Sequence, residues 1–299
     1  GLTMRKNAMP KALGILAIMV MGWIIYVNKS RFHKVNQLSN IELSKIKVLI
    51  LAHPRTGSTL LGECLTRFDN NTFFFEPFSG FDLDQVPDVA SVVLDDLFNC
   101  RSAIRQLPLR RTPITRTKMD NCRAWKAIVV KVIRVRLEDI ITWLLKKQNI
   151  KIIHLLRDPR AMIHSMQNIT FEKKDFRYHC GRLMDDLELS NHLNQSRYKR
   201  IKYEDLASNL THVVRELFHF IGLNMTENIK FKIEEFQHLE SLSPNTRLDK
   251  ESDGSKFSVY KPSDFNIHHW KTEISKEKLT FGTNECLQVL KILGYPIEI

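Results

Sequence analysis

Apolar positions fall into short unbroken runs separated by stretches of helical period. "KVLILA" (47–52) is the first run, "TFFFEPF" (72–78) the second, "AIVVKVIRV" (127–135) the third and "IKIIHLL" (150–156) the fourth; "YKRIKYEDL" (198–206) holds a fifth. Runs of four to eight apolar residues bounded by turn signals are those of strands buried on both faces. Helical patterns follow at 57–68, after 135 through Lys147, from Pro159, over 177–196 and over 205–221, whereas 79–123 is poorly periodic. Strands alternating with helices predict an α/β fold: a central parallel sheet flanked by helices. In such sheets ligands bind beyond the C-terminal strand ends, which directs attention to the residues after 52 and after 156.

One further apolar run does not fit the sheet. Residues 12–27, "ALGILAIMVMGWIIYV", carry no charge; Arg5, Lys6 and Lys11 precede them and Lys29, Arg31 and Lys34 follow. Small residues of a cleavage site are missing after the run, so it reads as a retained signal anchor, one N-terminal transmembrane helix. The expected division is a cytosolic tail (1–11), the anchor (12–27), a polar stem (28–45) and a lumenal domain (46–299). Basic residues on both sides leave orientation open by charge, but glycosylation sequons speak to it. Asn28, Asn70, Asn168, Asn194, Asn209 and Asn224 each begin N-x-[ST], all after the anchor. The composition gives about two by chance. In a lumenal chain the five cysteines are expected to form one or two disulfides and leave one thiol, with connectivity open. They show no CxxC pair and, with histidine, no zinc spacing.

The net charge of +12 suggests an anionic partner. "AHPRTGST" (52–59) suggests where. A nucleoside triphosphatase loop reads G-x-x-x-x-G-K-[ST]; here Ala52, Gly57, Ser58 and Thr59 stand at its fixed positions, and Ser58 replaces the lysine. Gly57 still permits a tight turn that aims helix N-terminal amides at an anion, with Arg55 supplying charge. Sulfuryl transfer suits such a loop. The group carries less negative charge than a terminal phosphoryl, so no magnesium is needed, and amides plus a cation can stabilise the departing phosphate oxygen. At the second strand end, "HLLRDPRAMIHS" (154–165), Asp158 can cap a helix, Pro159 can open it, and Arg157 can fork onto a phosphate.

Taken together, "RTGSTLLGE" (55–63), "FFFEPF" (73–78), "VIRVRLEDI" (132–140), "IIHLLRDPRAMIHS" (152–165), "KYEDLA" (202–207) and "CLQVLKILGY" (286–295) resemble the membrane-bound carbohydrate sulfotransferases, in particular the galactose/N-acetylgalactosamine/N-acetylglucosamine 6-O-sulfotransferase group. The resemblance covers roughly residues 46–299. It implies a P-loop-like sulfotransferase fold, a Golgi location as a single-pass type II protein, and 3′-phosphoadenosine 5′-phosphosulfate as donor without a metal. Arg55, Thr56, Gly57, Ser58 and Thr59 match the 5′-phosphosulfate loop, and Arg157 with Ser165 the 3′-phosphate pair. "RDPRA" looks like the 6-O group, since the 4-O group typically has an aromatic after RDP. Lys202 departs from the family's arginine before YEDL, and Lys261 and Trp270 fall where the match is loose.

A sugar hydroxyl must lose its proton as sulfur is attacked, so a base is expected beside the loop. Glu76, after three phenylalanines, is the leading candidate, because partial desolvation would raise its basicity. A structural ion pair with a loop arginine is the bland alternative, and His53 is the rival base. The expected partners are a glycan or glycosaminoglycan acceptor and the membrane through 12–27, not nucleic acid; a homodimer is allowed. The basic stretch 105–118 is a candidate contact for an acidic glycan or a solvated loop. Two other readings compete: a nucleotide kinase with a degenerate loop, which magnesium dependence would reveal, and a non-catalytic binder of sulfated glycans, which would need neither strand-end motif.

Overall fold

A computed structural model describes residues 45–66, 71–79, 81, 83, 85–101, 122–167, 175–241 and 266–298, besides isolated positions 26, 27 and 29. Ile46–Ile299 make up one compact unit and Gly1–Lys45 a separate one. Most of the 12–27 run, the 105–118 stretch and Lys261 lie outside the described residues. Among those described, no helix is long and apolar enough to cross a membrane.

Five strands, β1 (Ile46–Ala52), β2 (Asn71–Phe75), β3 (Ala127–Val132), β4 (Ile150–Leu156) and β5 (Tyr198–Lys202), form one sheet in the order β2-β3-β1-β4-β5. Every neighbouring pair is parallel, and Ala52 of β1 stands beside Leu155 of β4. The chain moves from β1 out to β2 and β3, then crosses to β4 on the other side. The gap between the ends of β1 and β4 is therefore the switch point at which open α/β sheets bind ligands.

The pleat distributes β1 between two cores. Leu49 and Leu51 face one, packed with Val93, Leu94 and Leu97 of helix α2 (Val86–Phe98) and Ile140 and Leu144 of α3 (Leu137–Lys146), once α1 (Ser58–Thr66) has been placed on the opposite face. Val48, Ile50 and Ala52 face the other, with Leu61 and Leu65 of α1. Burial of β1 on both faces explains why it reads as a continuous apolar run rather than an alternating one. Helix α4 (Pro159–Ser165) follows β4, and α5 (Phe176–Leu189) precedes β5. Then come α6 (Tyr203–Ser208), α7 (Leu210–Ile221), α8 (Glu227–Ser241), α9 (Trp270–Glu273), α10 (Lys276–Glu285) and α11 (Leu287–Leu293).

Three differences from the sequence reading have clear causes. The strand expected over 72–78 ends at Phe75, because Glu76 adopts a left-handed φ of 43° and the chain turns. The helix expected over 205–221 is two: the Asn209 side chain accepts the His212 N–H and caps α7. Helix α2 lies within a stretch that reads as aperiodic, although Val86, Ala90, Val93, Leu94 and Leu97 share its buried face; Pro87 and the acidic residues obscure that period.

Disulfides join Cys100 to Cys122 and Cys180 to Cys286. Cys64 lies outside both, buried in α1. The Cys100–Cys122 bridge closes a loop of 22 residues. Replacing both cysteines by alanine should lower stability by about 3 kcal/mol by restoring chain entropy to the unfolded state. An unchanged urea midpoint would show that the bridge adds nothing.

Candidate active site

The loop after β1 is shaped by two left-handed residues, Arg55 at φ 64° and Gly57 at φ 81°. Thr56 Oγ1 donates to the His53 carbonyl at 2.8 Å and tightens the turn. At Gly57 the constraint is doubled: a Cβ there would meet Tyr203 Cδ2 at 2.4 Å. Ser58 then opens α1, and the first-turn amides of a helix are the groups that can bind an anion. The strained conformation of Arg55 is held from β4: Arg157 Nη1 donates to the Arg55 carbonyl at 2.8 Å.

Because β1 and β4 are adjacent and parallel, the two strand ends meet. Arg55 Nε donates to Ser165 Oγ on α4 at 3.1 Å. Arg157 is buried, with its guanidinium 4.5 Å from the Tyr203 ring centre. Burial, and then the nearby Arg157 charge, push the Arg55 guanidinium below its ordinary range, as expected where two cations share one pocket. Asp158 caps α4 through the Arg160 N–H at 2.9 Å, the role its position predicts. Glu204 of α6 joins the strand end to the C-terminus, accepting from the Asp158 N–H at 3.2 Å and the Tyr295 hydroxyl at 2.8 Å.

The candidate base Glu76 is not in an apolar setting. Lys131 Nζ is 2.5 Å from Glu76 Oε1, and Arg134 Nη1 is 3.4 Å from Oε2. Lys131 also donates to Thr59 Oγ1 at 3.1 Å, so it bridges the loop and the glutamate. Burial pushes the Lys131 ammonium down from the ordinary lysine range, with Glu76 opposing the shift. Reading the sequence missed this lysine, yet a signal was present: a single charge inside the buried run "AIVVKVI" is costly unless paired. His53, the rival base, is closed off from solvent. Its Nε2 lies 3.3 Å from Asp186 Oδ2 on α5, and its Nδ1 has no partner among the described residues. Burial lowers its basicity, which the Asp186 contact counteracts in part. Trp270 is a core residue, 2% exposed, with the Arg160 guanidinium 5.6 Å from its ring centre. Lys202 Nζ sits 4.7 Å from the Tyr295 ring centre.

Comparison with known proteins places this geometry. The family described as the sulfotransferase domain matches residues 45–281. The chain belongs to that family. Carbohydrate sulfotransferase 1 of Homo sapiens is 26% identical over 202 residues, covering 60% of this chain and 47% of that protein. Carbohydrate sulfotransferase 1 of Danio rerio is 21% identical over 336 residues, covering 84% of this chain and 78% of that protein. The chain thus spans about half the length of its human relative. Among solved structures, the sulfotransferase domain from the Synechococcus PCC 7002 olefin synthase aligns with a TM-score of 0.52 at 19% identity, over 84% of this chain and 94% of that one. That likeness establishes a shared sulfotransferase fold.

Proposed function

We propose that the chain transfers a sulfuryl group from 3′-phosphoadenosine 5′-phosphosulfate to a sugar hydroxyl, with the 6-O position of galactose, N-acetylgalactosamine or N-acetylglucosamine as acceptor. The observation that carries this reading is the meeting of two anion-binding strand ends beside a Glu76–Lys131–Thr59 chain. The amides of Gly57, Ser58 and Thr59 hold the 5′-phosphosulfate, and Arg157 with Ser165 holds the 3′-phosphate. Arg55, whose side chain reaches Ser165, belongs with that second phosphate; Lys131 supplies the cation at the breaking bond. The acceptor oxygen attacks sulfur as Glu76 takes its proton. The sulfur–oxygen bond to the phosphate breaks, and its electron pair passes to the phosphate oxygen, which Lys131 and the loop amides stabilise. The names of the two vertebrate relatives support a carbohydrate acceptor, and "RDPRA" supports the 6-O position.

A lumenal, type II Golgi location goes with this reading. Two disulfides suit an oxidising compartment, and the described sequon asparagines Asn194, Asn209 and Asn224 are exposed. The test combines labelled donor with desulfated keratan, chondroitin and N-acetylglucosamine-terminated acceptors, followed by linkage analysis, on protein made in a secretory cell. Label in none of them, or a gel mobility that glycosidase leaves unchanged, would count against the acceptor class and the compartment respectively.

Arg157→Ala tests the donor site. Losing a charge-assisted fork should cost about 2–4 kcal/mol of affinity for 3′,5′-bisphosphoadenosine, read by calorimetry. Ser165→Ala should cost about 1 kcal/mol. Full affinity in Arg157→Ala would move the 3′-phosphate elsewhere.

A further inference from the structure

Beneath the loop lies a cluster that sulfuryl transfer does not use. His53 follows β1, His154 lies in β4 and Asp186 in α5; all three are buried, and one ligand atom from each lies within 4.8 Å of the others. We propose that these three side chains form a buried zinc site that ties the 53–59 loop to α5. Two imidazoles and a carboxylate are a donor set that zinc takes. Spacing along the chain hides it, because the ligands are 101 and 32 residues apart (154 − 53 and 186 − 154) on three separate elements.

For two of the ligands the inner and outer atoms can be told apart. His154 Nδ1 is 2.8 Å from the Tyr198 hydroxyl, which leaves Nε2 buried and without a partner among the described residues. Asp186 Oδ1 accepts the Leu137 N–H at 2.7 Å, leaving Oδ2 to the cluster. Outer partners of this kind orient metal ligands. The His53 Nε2 to Asp186 Oδ2 separation of 3.3 Å is long for a buried charge-assisted hydrogen bond, about 2.7–2.9 Å. It matches the spacing of two ligands on one tetrahedral zinc, about 3.3 Å for bonds of about 2.05 Å. A hydrogen bond alone would leave the His154 nitrogen unmet, which costs free energy; an ion shared with His53 Nε2 and Asp186 Oδ2 gives that nitrogen a partner, with a water as fourth ligand. The surrounding cations are Arg136, Arg182 and Arg200, and Arg136 is already paired with Asp185 and Glu138.

The full chain, made in a secretory cell and passed over a chelating resin, should retain about one zinc per molecule by mass spectrometry. His154→Ala and Asp186→Asn should each lower that content about tenfold or more. Because either variant could fail to fold, the wild type supplies a second measurement. After stripping with a strong chelator, zinc chloride alone should raise its unfolding temperature by about 5 °C or more, and cobalt in place of zinc should give visible absorption bands. A wild type without zinc above background and without a thermal shift overturns the site. Zinc retained in full by both folded variants overturns it as well, since the ion then lies elsewhere. Binding of 3′,5′-bisphosphoadenosine, measured on the same samples, reports separately on the donor site.

Discussion

Glu76→Gln is expected to lower turnover by about 10²–10⁴ while donor affinity stays within a few-fold. The change keeps the size and a hydrogen-bonding group but removes the proton acceptor. Glu76 lies at the end of β2, held by Lys131 at 2.5 Å and Arg134 at 3.4 Å, so the structure contains the ion pair weighed as the alternative to a base. The pH profile separates the two roles. A base produces an acid limb in the wild-type rate that the glutamine variant lacks. An ion pair alone would lower stability and leave the limb in place. Near wild-type turnover with the limb intact would mean that the proton goes to another group, and the buried position of His53 argues against its being that group.

The second large effect is expected at Lys131. Lys131→Met keeps the length and apolar stem of a side chain that is 2% exposed but removes the charge that reaches Thr59 and Glu76. If that charge stabilises the departing phosphate oxygen, turnover falls by about 10²–10³ with little change in binding of 3′,5′-bisphosphoadenosine. Removing one member of a buried pair also leaves Glu76 without its closest cation, at a stability cost of up to about 3 kcal/mol. A double variant, Lys131→Met with Glu76→Gln, isolates the coupling. Its turnover should exceed the product of the two single losses, because the residues act as a unit. Strictly multiplicative losses would mean that they act independently.

Much of the fold was legible from local pattern. β1 and β4 were read with bounds within a residue of those observed, because strands buried on both faces leave continuous apolar runs and their ends carry turn residues. Gly57 was read as a turn residue for its freedom at positive φ, and Asp158 as a cap; both conclusions depend on groups a few residues away in the chain. The expectation of one thiol outside the disulfides needed only an odd number of cysteines.

What needed the tertiary structure was every relationship across the sheet. The order β2-β3-β1-β4-β5 brings Arg55 to Ser165 over a separation of 110 residues and Arg157 to the Arg55 carbonyl over 102. The side chain of Arg55, expected at the breaking bond, donates to Ser165 of the second strand end, and Lys131, 55 residues from Glu76, stands beside Thr59. Tyr203, visible in the sequence only as part of a motif, fills the space that a Cβ on Gly57 would need. Local periodicity records which face of an element is buried, since that depends on the 2.0- or 3.6-residue repeat of the backbone. It does not record which element packs there. The pairing of charges is set by strand order and by the cost of leaving a buried group unmet, and both are properties of the assembled chain.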